Sequence, residues 1–258
     1  MTALQRPAAD GRGPDGPAWT RRPANLAKAV TAELVQRIVR GDYPAGSVLP
    51  AEHALCATFS VSRTVVREAV KVLQEKGLVQ IRQGSGTTVL PPTSWNLLDE
   101  LVLAALIDAD ETLGVLDDLV VTRRLLESDM ANVAARTADE DAVARLRELV
   151  DRMDGLLDDP GSYHELDRAF HDTVMRASGN RIARAVVRSL ESQVINTASY
   201  MGRTDRALCA ASNRGHRRIC ERIAARDPEG AAAAMFAHIT EAWLVRRGAN
   251  GDPDRLAR

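Results

Sequence analysis

The sequence predicts a mainly α protein: an N-terminal winged helix-turn-helix (three helices plus a β-hairpin wing) followed by an all-α antiparallel bundle of about seven helices. Three observations carry this. Residues 47–88 read in the order helix, turn, basic helix, hairpin. Beyond Pro91-Pro92-Thr93 every stretch shows helical periodicity, broken only at turn residues, and none suggests a sheet. Aromatic residues make up only 3% of the chain while alanine and leucine are abundant, a balance that favours helices. At 258 residues the chain is long enough for two cores.

Taken in order, residues 1–23 are rich in Pro, Gly and Ala and lack periodicity, so a disordered tail is expected, with Arg6, Arg12, Arg21 and Arg22 inert or brushing phosphates. Leu26–Arg40 is the first helix, with Val30, Leu34 and Ile38 on its apolar side. Pro50 suits the first turn before a helix at about Ala51–Thr58, and Phe59–Val61 turns into Ser62. Ser62 is a good N-cap for a helix running to Lys76, and Gly77 can take the positive φ that stops it. Val66, Ala69, Val70 and Leu73 form one apolar stripe, while Arg63, Arg67 and Lys71 recur every four residues on another face. Such a helix can dock by its stripe and point arginines into a major groove, where a guanidinium grips guanine with two bonds. A cation row is also what a solvated helix face carries. Leu78–Arg82 and Thr87–Leu90 are strand candidates around the turn Gln83-Gly84-Ser85-Gly86. The domain is expected over residues 24–90.

Pro91-Pro92-Thr93 is the expected linker, over residues 91–93, stiffened by its prolines. Helices are expected near 94–107, 113–136, 139–158, 162–178, 181–201, 205–226 and 228–247, giving a second domain over residues 94–247 and a flexible tail at 248–258. Asp139 and Ser162 are the expected N-caps, Pro160-Gly161 and Ser178-Gly179-Asn180 the turns, and Pro228 opens the last helix.

The net charge of −1 hides an asymmetry. Residues 1–90 hold 12 Lys+Arg against 7 Asp+Glu, and residues 91–258 hold 22 against 28. Only the front half is therefore expected to meet a polyanion. Cys56, Cys209 and Cys220 have no metal spacing and read as small buried residues in a reducing compartment. No apolar run reaches the length of a membrane span and no signal-peptide core is present, so a cytoplasmic protein is expected.

In the second half, Asp167 and His171 are four residues apart and share a helix face, while His216 and His238 lie on later helices. Ala234, Met235, Phe236 and Ile239 around His238 suggest an inward-pointing ring. One carboxylate and three imidazoles converging between helices would bind a divalent transition metal with room for an outside ligand. Each residue alone also has an ordinary reading, a chance Asp/His pair or a satisfied core histidine.

The front half resembles the DNA-binding domain of GntR-family transcriptional regulators. The matching residues are Gly41, Pro44-Ala45-Gly46, Leu49-Pro50-Ala51-Glu52, Ser62-Arg63, Val66-Arg67-Glu68-Ala69, Leu73, Gly77-Leu78-Val79, Gly84 and Gly86. The resemblance implies DNA contacts from Glu52, His53, Ser62, Arg63, Thr64, Arg67, Gln83 and Gly84. His53 stands where the family often has arginine, which puts the usual sequence preference in doubt. Ser60 stands where glycine is usual, which should slightly strain the turn.

Residues 95–247 resemble the all-helical FCD effector domain of the FadR-type branch. That resemblance implies a metal set of Asp167, His171, His216 and His238. The ion would be zinc, with nickel and manganese as alternatives. It also implies an effector contact from Arg123, in the Arg…Leu-Glu pattern with Glu127, and another from Asn180 in the Ser178-Gly179-Asn180 turn. Arg123 and Glu127 also read as an i,i+4 ion pair. Trp95-Asn96-Leu97-Leu98-Asp99 resembles the first-helix signature of members that respond to sugar acids, and Asn213 stands where an acidic residue is common.

The expected function is a ligand-responsive DNA-binding regulator, a repressor, that reads a palindromic operator as a homodimer and responds to a small carboxylate effector such as an aldonate. The rival class is a metal-dependent enzyme using the Asp/His site on a small acid. A third class, an architectural DNA protein, would bind without regard to sequence or small molecules.

Overall fold

The computed structural model describes residues 23–82, 84, 86–194 and 205–247. The two expected tails, Pro23 apart, lie outside these residues, as do Arg6, Arg12, Arg21, Arg22 and Gln83. No described helix is long and apolar enough to cross a membrane.

Helices α1 (Pro23–Val39), α2 (Glu52–Phe59) and α3 (Arg63–Glu75) enclose the first core. Val30, Leu34, Val35 and Ile38 of α1 meet Leu55 of α2 and Val65, Val66, Ala69 and Leu73 of α3. The stripe on α3 is buried as its spacing requires, except that Val70 is half-buried and Val65 joins it. Ser62 caps α3, its Oγ accepting from Val65 N at 3.4 Å. Ser60 adopts φ +52° and ψ +44°, a left-handed conformation that strains a residue with a side chain.

Strands β1 (Val79–Arg82) and β2 (Gly86–Val89) pair antiparallel with Val79 opposite Val89 and Arg82 opposite Gly86. The segment before α2 adds a third edge that the sequence reading did not foresee. Val48 bridges Thr88, Leu49 N donates to Thr87 O (2.8 Å), and Val89 N donates to Ser47 O (2.9 Å). The wing is thereby pinned to the chain that enters α2.

The helix expected near 94–107 begins later. Pro92–Ser94 makes one 3-10 turn, and α4 spans Glu100–Ala109. The cause is local. Asn96 Oδ1 accepts from Leu98 N at 3.2 Å, and Asp99 Oδ1 accepts from Leu101 N and Val102 N at 3.0 and 3.3 Å, making Asp99 the cap. Trp95 to Leu98 therefore lie outside the helix. Several bonds tie this segment back to the winged helix. Trp95 Nε1 donates to Leu90 O (3.0 Å), Asn96 N donates to Lys76 O (2.9 Å), and the Lys76 ammonium pairs with Asp99. Helix α4 then serves two cores. Val102 and Ala105 are buried with α1 and α3, whereas Leu103 and Ile107 are buried in the helical domain.

Helices α5 (Gly114–Thr137), α6 (Glu140–Asp154), α7 (Pro160–Ala177), α8 (Arg181–Val194), α9 (Arg206–Ala224) and α10 (Pro228–Arg247) complete the bundle. With α4 they make seven helices among the described residues. Asp139 caps α6 as its position suggests, accepting from Ala142 N at 2.8 Å. Ser162 is not the cap of α7. Asp159 takes that place, and Pro160-Gly161 belongs to the first turn because proline is pre-organised there and its missing N–H would be unbonded anyway. Helices α5 and α10 run antiparallel along the centre. Trp243 Nε1 and Arg247 Nη2 reach Asp117 at one end (2.8 and 2.5 Å), and Arg226 Nη1 reaches Ala135 O at the other (3.4 Å). Cys56, Cys209 and Cys220 are free, the last two buried.

Gly77 shows how closely the inter-domain segment approaches α3. Its φ is +75°, and a Cβ there would collide with the Ser94 carbonyl. Gly77→Ala should therefore lose about 2 kcal/mol or more in a denaturant titration, from the left-handed strain and the backbone clash together. A loss under about 0.5 kcal/mol would show that the segment yields freely.

Candidate functional site

Two sites are built, one at each end of the chain. At the first, the α2–α3 turn presents the N-terminus of α3 with Arg63 and Thr64 exposed and Arg67 one turn further along. Ser62 is committed to capping that terminus. Arg67 is 71% exposed, but its Nε donates to Glu52 Oε2 at 2.8 Å, so the acidic residue at the start of α2 aims the guanidinium. His53 is exposed beside Glu52. Gly84 is exposed at the hairpin turn with φ +78°, and Gln83 lies outside the described residues. The exposed polar face of α3 lies opposite its buried stripe, as a helix that docks on one side and reads on the other requires.

At the second site, three helices bring Asp167 and His171 (α7), His216 (α9) and His238 (α10) together, with one ligand atom from each lying within 4.8 Å of the others. The three imidazoles are buried. His171 Nε2 lies 3.2 Å from His238 Nε2, and His216 Nε2 lies 3.2 Å from Asp167 Oδ1. The second contact is close but not aligned as a hydrogen bond, so both ring nitrogens of His216 are buried without a hydrogen-bond partner. Buried polar atoms are normally satisfied, and these orphans mark where another species belongs. An ion holding its donors at about 2.1 Å would separate neighbouring ligands by roughly 3.0–3.4 Å, from a six-coordinate arrangement with positions to spare to a tetrahedral one. The two 3.2 Å contacts fall in that range, so the donor set fits a divalent ion.

The charge states agree with this fit. Burial lowers the pKa of His216, and burial together with the neighbouring rings drives that of His238 well down. Both rings therefore present lone pairs near neutral pH. Burial opposes ionisation of Asp167, but His216 and the other imidazoles hold its carboxyl well below the usual range. His171 is different. Burial works against its charge, yet the Glu127 carboxylate outweighs burial and raises its pKa. Glu127 Oε2 lies 2.5 Å from His171 Nδ1, which fixes the Nδ1–H tautomer and leaves Nε2 directed at the cluster.

Glu127 was legible only as the partner of Arg123, and its grip on His171 across 44 positions of sequence was not foreseen. It is fully buried and bonded by Arg123 Nε at 2.8 Å. Burial opposes its charge, but Arg123 and His171 lower its pKa to about 2. The i,i+4 pair thus lies inside the bundle, where losing one partner strands a buried charge. Gly215 was also missed. It lies in the middle of α9, and a Cβ there would collide with the His238 ring, so the glycine makes the room that ring occupies. A helical glycine ordinarily signals weakness, and its use here shows only when α10 is in place.

Asn180 is exposed and caps α8, its Oδ1 accepting from Ala183 N at 3.0 Å. Asn213 acquires a role: its Nδ2 donates to Val150 O (3.0 Å) and Asp154 Oδ1 (2.6 Å), fastening α9 to the end of α6. A cavity of about 250 Å³ reaches His238 from the side of Tyr163, Cys209 and Ser212.

Comparison with known proteins agrees with both halves. Residues 26–89 match the family described as bacterial regulatory proteins, gntR family, and residues 118–241 match the FCD domain. The repressor NanR of Salmonella schwarzengrund is 31% identical over 93% of this chain and 92% of its own. The galactonate operon transcriptional repressor of Escherichia coli K12 is 27% identical over 83% of this chain and 94% of its own. The solved structure of Lar, which controls the agr system of Listeria monocytogenes, superposes with a TM-score of 0.55 at 19% identity, covering 84% and 94% of the two chains, and so shares the fold. These relatives are regulators, which sets aside the metal-dependent enzyme as the rival reading. Matched over both domains and related to NanR along nearly its whole length, the chain belongs to the GntR family of transcriptional regulators and carries the family's FCD domain.

Proposed function

We propose that this regulator is a repressor that binds a palindromic operator as a homodimer through residues 24–90 and releases it when its FCD domain binds a small organic acid. The observation that carries this reading is the gathering of four ligand side chains from three helices around the orphaned nitrogens of His216. Asp167, His171, His216 and His238 would hold a divalent ion, zinc first and nickel or manganese as alternatives. Such an ion supplies open positions for carboxylate and hydroxyl oxygens. The kinship with a galactonate operon repressor supports a sugar acid as the effector class. Arg123 and Asn180 are assigned to effector recognition, Arg123 as the cation nearest the Glu127–His171 pair.

On the DNA side, Arg63 and Arg67 read bases or phosphates, Thr64 and Ser62 hold the N-terminus of α3 against the backbone, and the turn at Gly84–Gly86 makes the wing tip, with Gly84 and Gln83 assigned to the DNA contact. Glu52 orients Arg67, and His53 takes the place beside it. Dimerisation supplies the second half-site. Helices α5 and α10 leave Leu125, Phe236 and Leu244 exposed, surface that a second copy could cover.

Arg63→Ala should weaken operator binding by about 1–3 kcal/mol and relax the preference at one base pair, if the contact is to a base. A phosphate contact would weaken all sequences alike and flatten the salt dependence. Unchanged gel-shift affinity in both Arg63→Ala and Arg67→Ala, with the fold intact, would remove α3 from the interface.

Elemental analysis of untagged protein should find about one divalent ion per chain, retained at neutral pH and lost on acidification, because imidazoles bind metal only when neutral. Glu127→Gln, which cannot accept the same charge-assisted bond from His171, should weaken metal binding roughly 10–100-fold. A wild type that carries no metal and takes up none when it is offered would falsify the site.

Coupling between the domains should amount to about 1–3 kcal/mol, loosening the operator roughly 5–150-fold, with DNA weakening the acid by the same factor. Calorimetric titration of D-galactonate with and without operator checks this reciprocity. Equal affinity in the two titrations would leave an acid site without a switch.

A further inference from the structure

Arg123 has a second carboxylate on it. Besides Glu127, its Nη2 contacts Glu191 Oε1 at 2.7 Å, and the two side chains are only 15% and 13% exposed. Glu191 lies in the last turn of α8, a helix also fastened by Val187, packed with Met130 of α5 and Met175 of α7, and by Arg184, which pairs with Asp172 of α7 at 2.7 Å. Glu127 and Glu191 differ in what they do. Glu127 has two partners, His171 and Arg123, and no exposed surface. Glu191 brings a carboxylate from a different helix to the outer edge of the same guanidinium, where burial raises its pKa and thus disfavours its charge. The ion pair is therefore a mostly buried carboxylate held at a cost and linked through Arg123 and Glu127 to His171.

We propose that Glu191 is an internal stand-in for the carboxylate of the effector, occupying Arg123 until an incoming acid displaces it. This rests on the reading of the FCD domain as an acid sensor and adds how that sensor selects its acid. A tethered carboxylate competes at an effective concentration in the millimolar range or above, so a plain monocarboxylate cannot dislodge it at ordinary levels. An acid with an adjacent hydroxyl can, because it also gains contacts at the metal cluster. Displacement also has a direction. Helix α8 packs against α4, and α4 carries Val102 and Ala105 into the core of the winged helix. Releasing Glu191 removes one of the ties that hold α8, the Arg184–Asp172 pair and the buried Val187 being the others, and so frees its C-terminal turn in a helix that packs on α4.

The test uses the full-length, zinc-loaded chain in two arms. In the first, acetate is the probe and thermal denaturation the readout, with chloride at equal ionic strength as control. Glu191→Ala vacates the carboxylate position, and acetate at about 100 mM should refill it and raise Tm by several degrees, leaving the wild type unmoved. In the second, D-galactonate is titrated calorimetrically into the wild type and Glu191→Gln, which keeps the side-chain shape without the charge. If Arg123 is free of Glu191 in roughly a tenth of wild-type molecules, the variant should bind about tenfold tighter. Acetate that stabilises both chains alike or neither, or galactonate that binds both chains but Glu191→Gln no tighter than the wild type, overturns the stand-in. Acetate rescue with no galactonate bound by either chain supports the stand-in and overturns the sugar-acid reading. Galactonate bound equally by both chains, with no rescue, overturns the stand-in and leaves that reading intact.

Discussion

A carboxylate with no exposed surface sits at the middle of the helical domain, and much of the domain is arranged to keep it charged. Glu127 could not remain ionised there alone, because removing an isolated charge from water costs far more than one contact returns. Two groups make it tolerable, the guanidinium of Arg123 one turn earlier on α5 and the imidazole of His171 on α7. Each is fixed in return. His171 has its tautomer and ring orientation set, so its free nitrogen faces His238, and Arg123 has one edge committed and another left for a carboxylate from α8. Breaking one link strands the others, so helices α5, α7 and α8 hold their places at the cluster together.

The DNA-reading end works by a different economy. Its charged residues are exposed and individually weakly held, and its rigidity comes from the apolar stripe of α3 and from the wing. The edge formed by Val48 and Leu49 joins the hairpin to the entry of α2, so wing and helix-turn-helix move as one body. Ser60 keeps a left-handed turn that glycine would accept more easily, and the close α2–α3 packing holds it there.

The parts legible in the sequence were those written in local spacing. The order of elements, the α3 stripe, the Ser62 cap and the Asp167/His171 pair follow from residue identity at short range, whereas His216 and His238 join that pair through the resemblance to the FCD domain. What was not legible depends on distant partners. Glu127 meets His171 only after α5 and α7 pack, Gly215 makes sense only against the His238 ring, and Asn213 acquires its purpose from the end of α6. The late start of α4 is an intermediate case. Asn96 and Asp99 favour turns by their own chemistry, but helical periodicity on either side masked them. The Arg123–Glu127 pair was seen, and its energetic weight was not, because spacing does not report burial.

Helix α4 bears on how the molecule comes apart as well as on how it signals. Two domains joined by a free tether melt independently, each with its own midpoint. Here Val102 and Ala105 lie in one core while Leu103 and Ile107 lie in the other, so neither core can open fully without exposing apolar surface that belongs to its neighbour. Heat should then meet a single cooperative unit, with one transition in place of two. The same shared helix sets a limit on dissection: a fragment cut at the proline pair would leave the winged helix with part of its interior facing water.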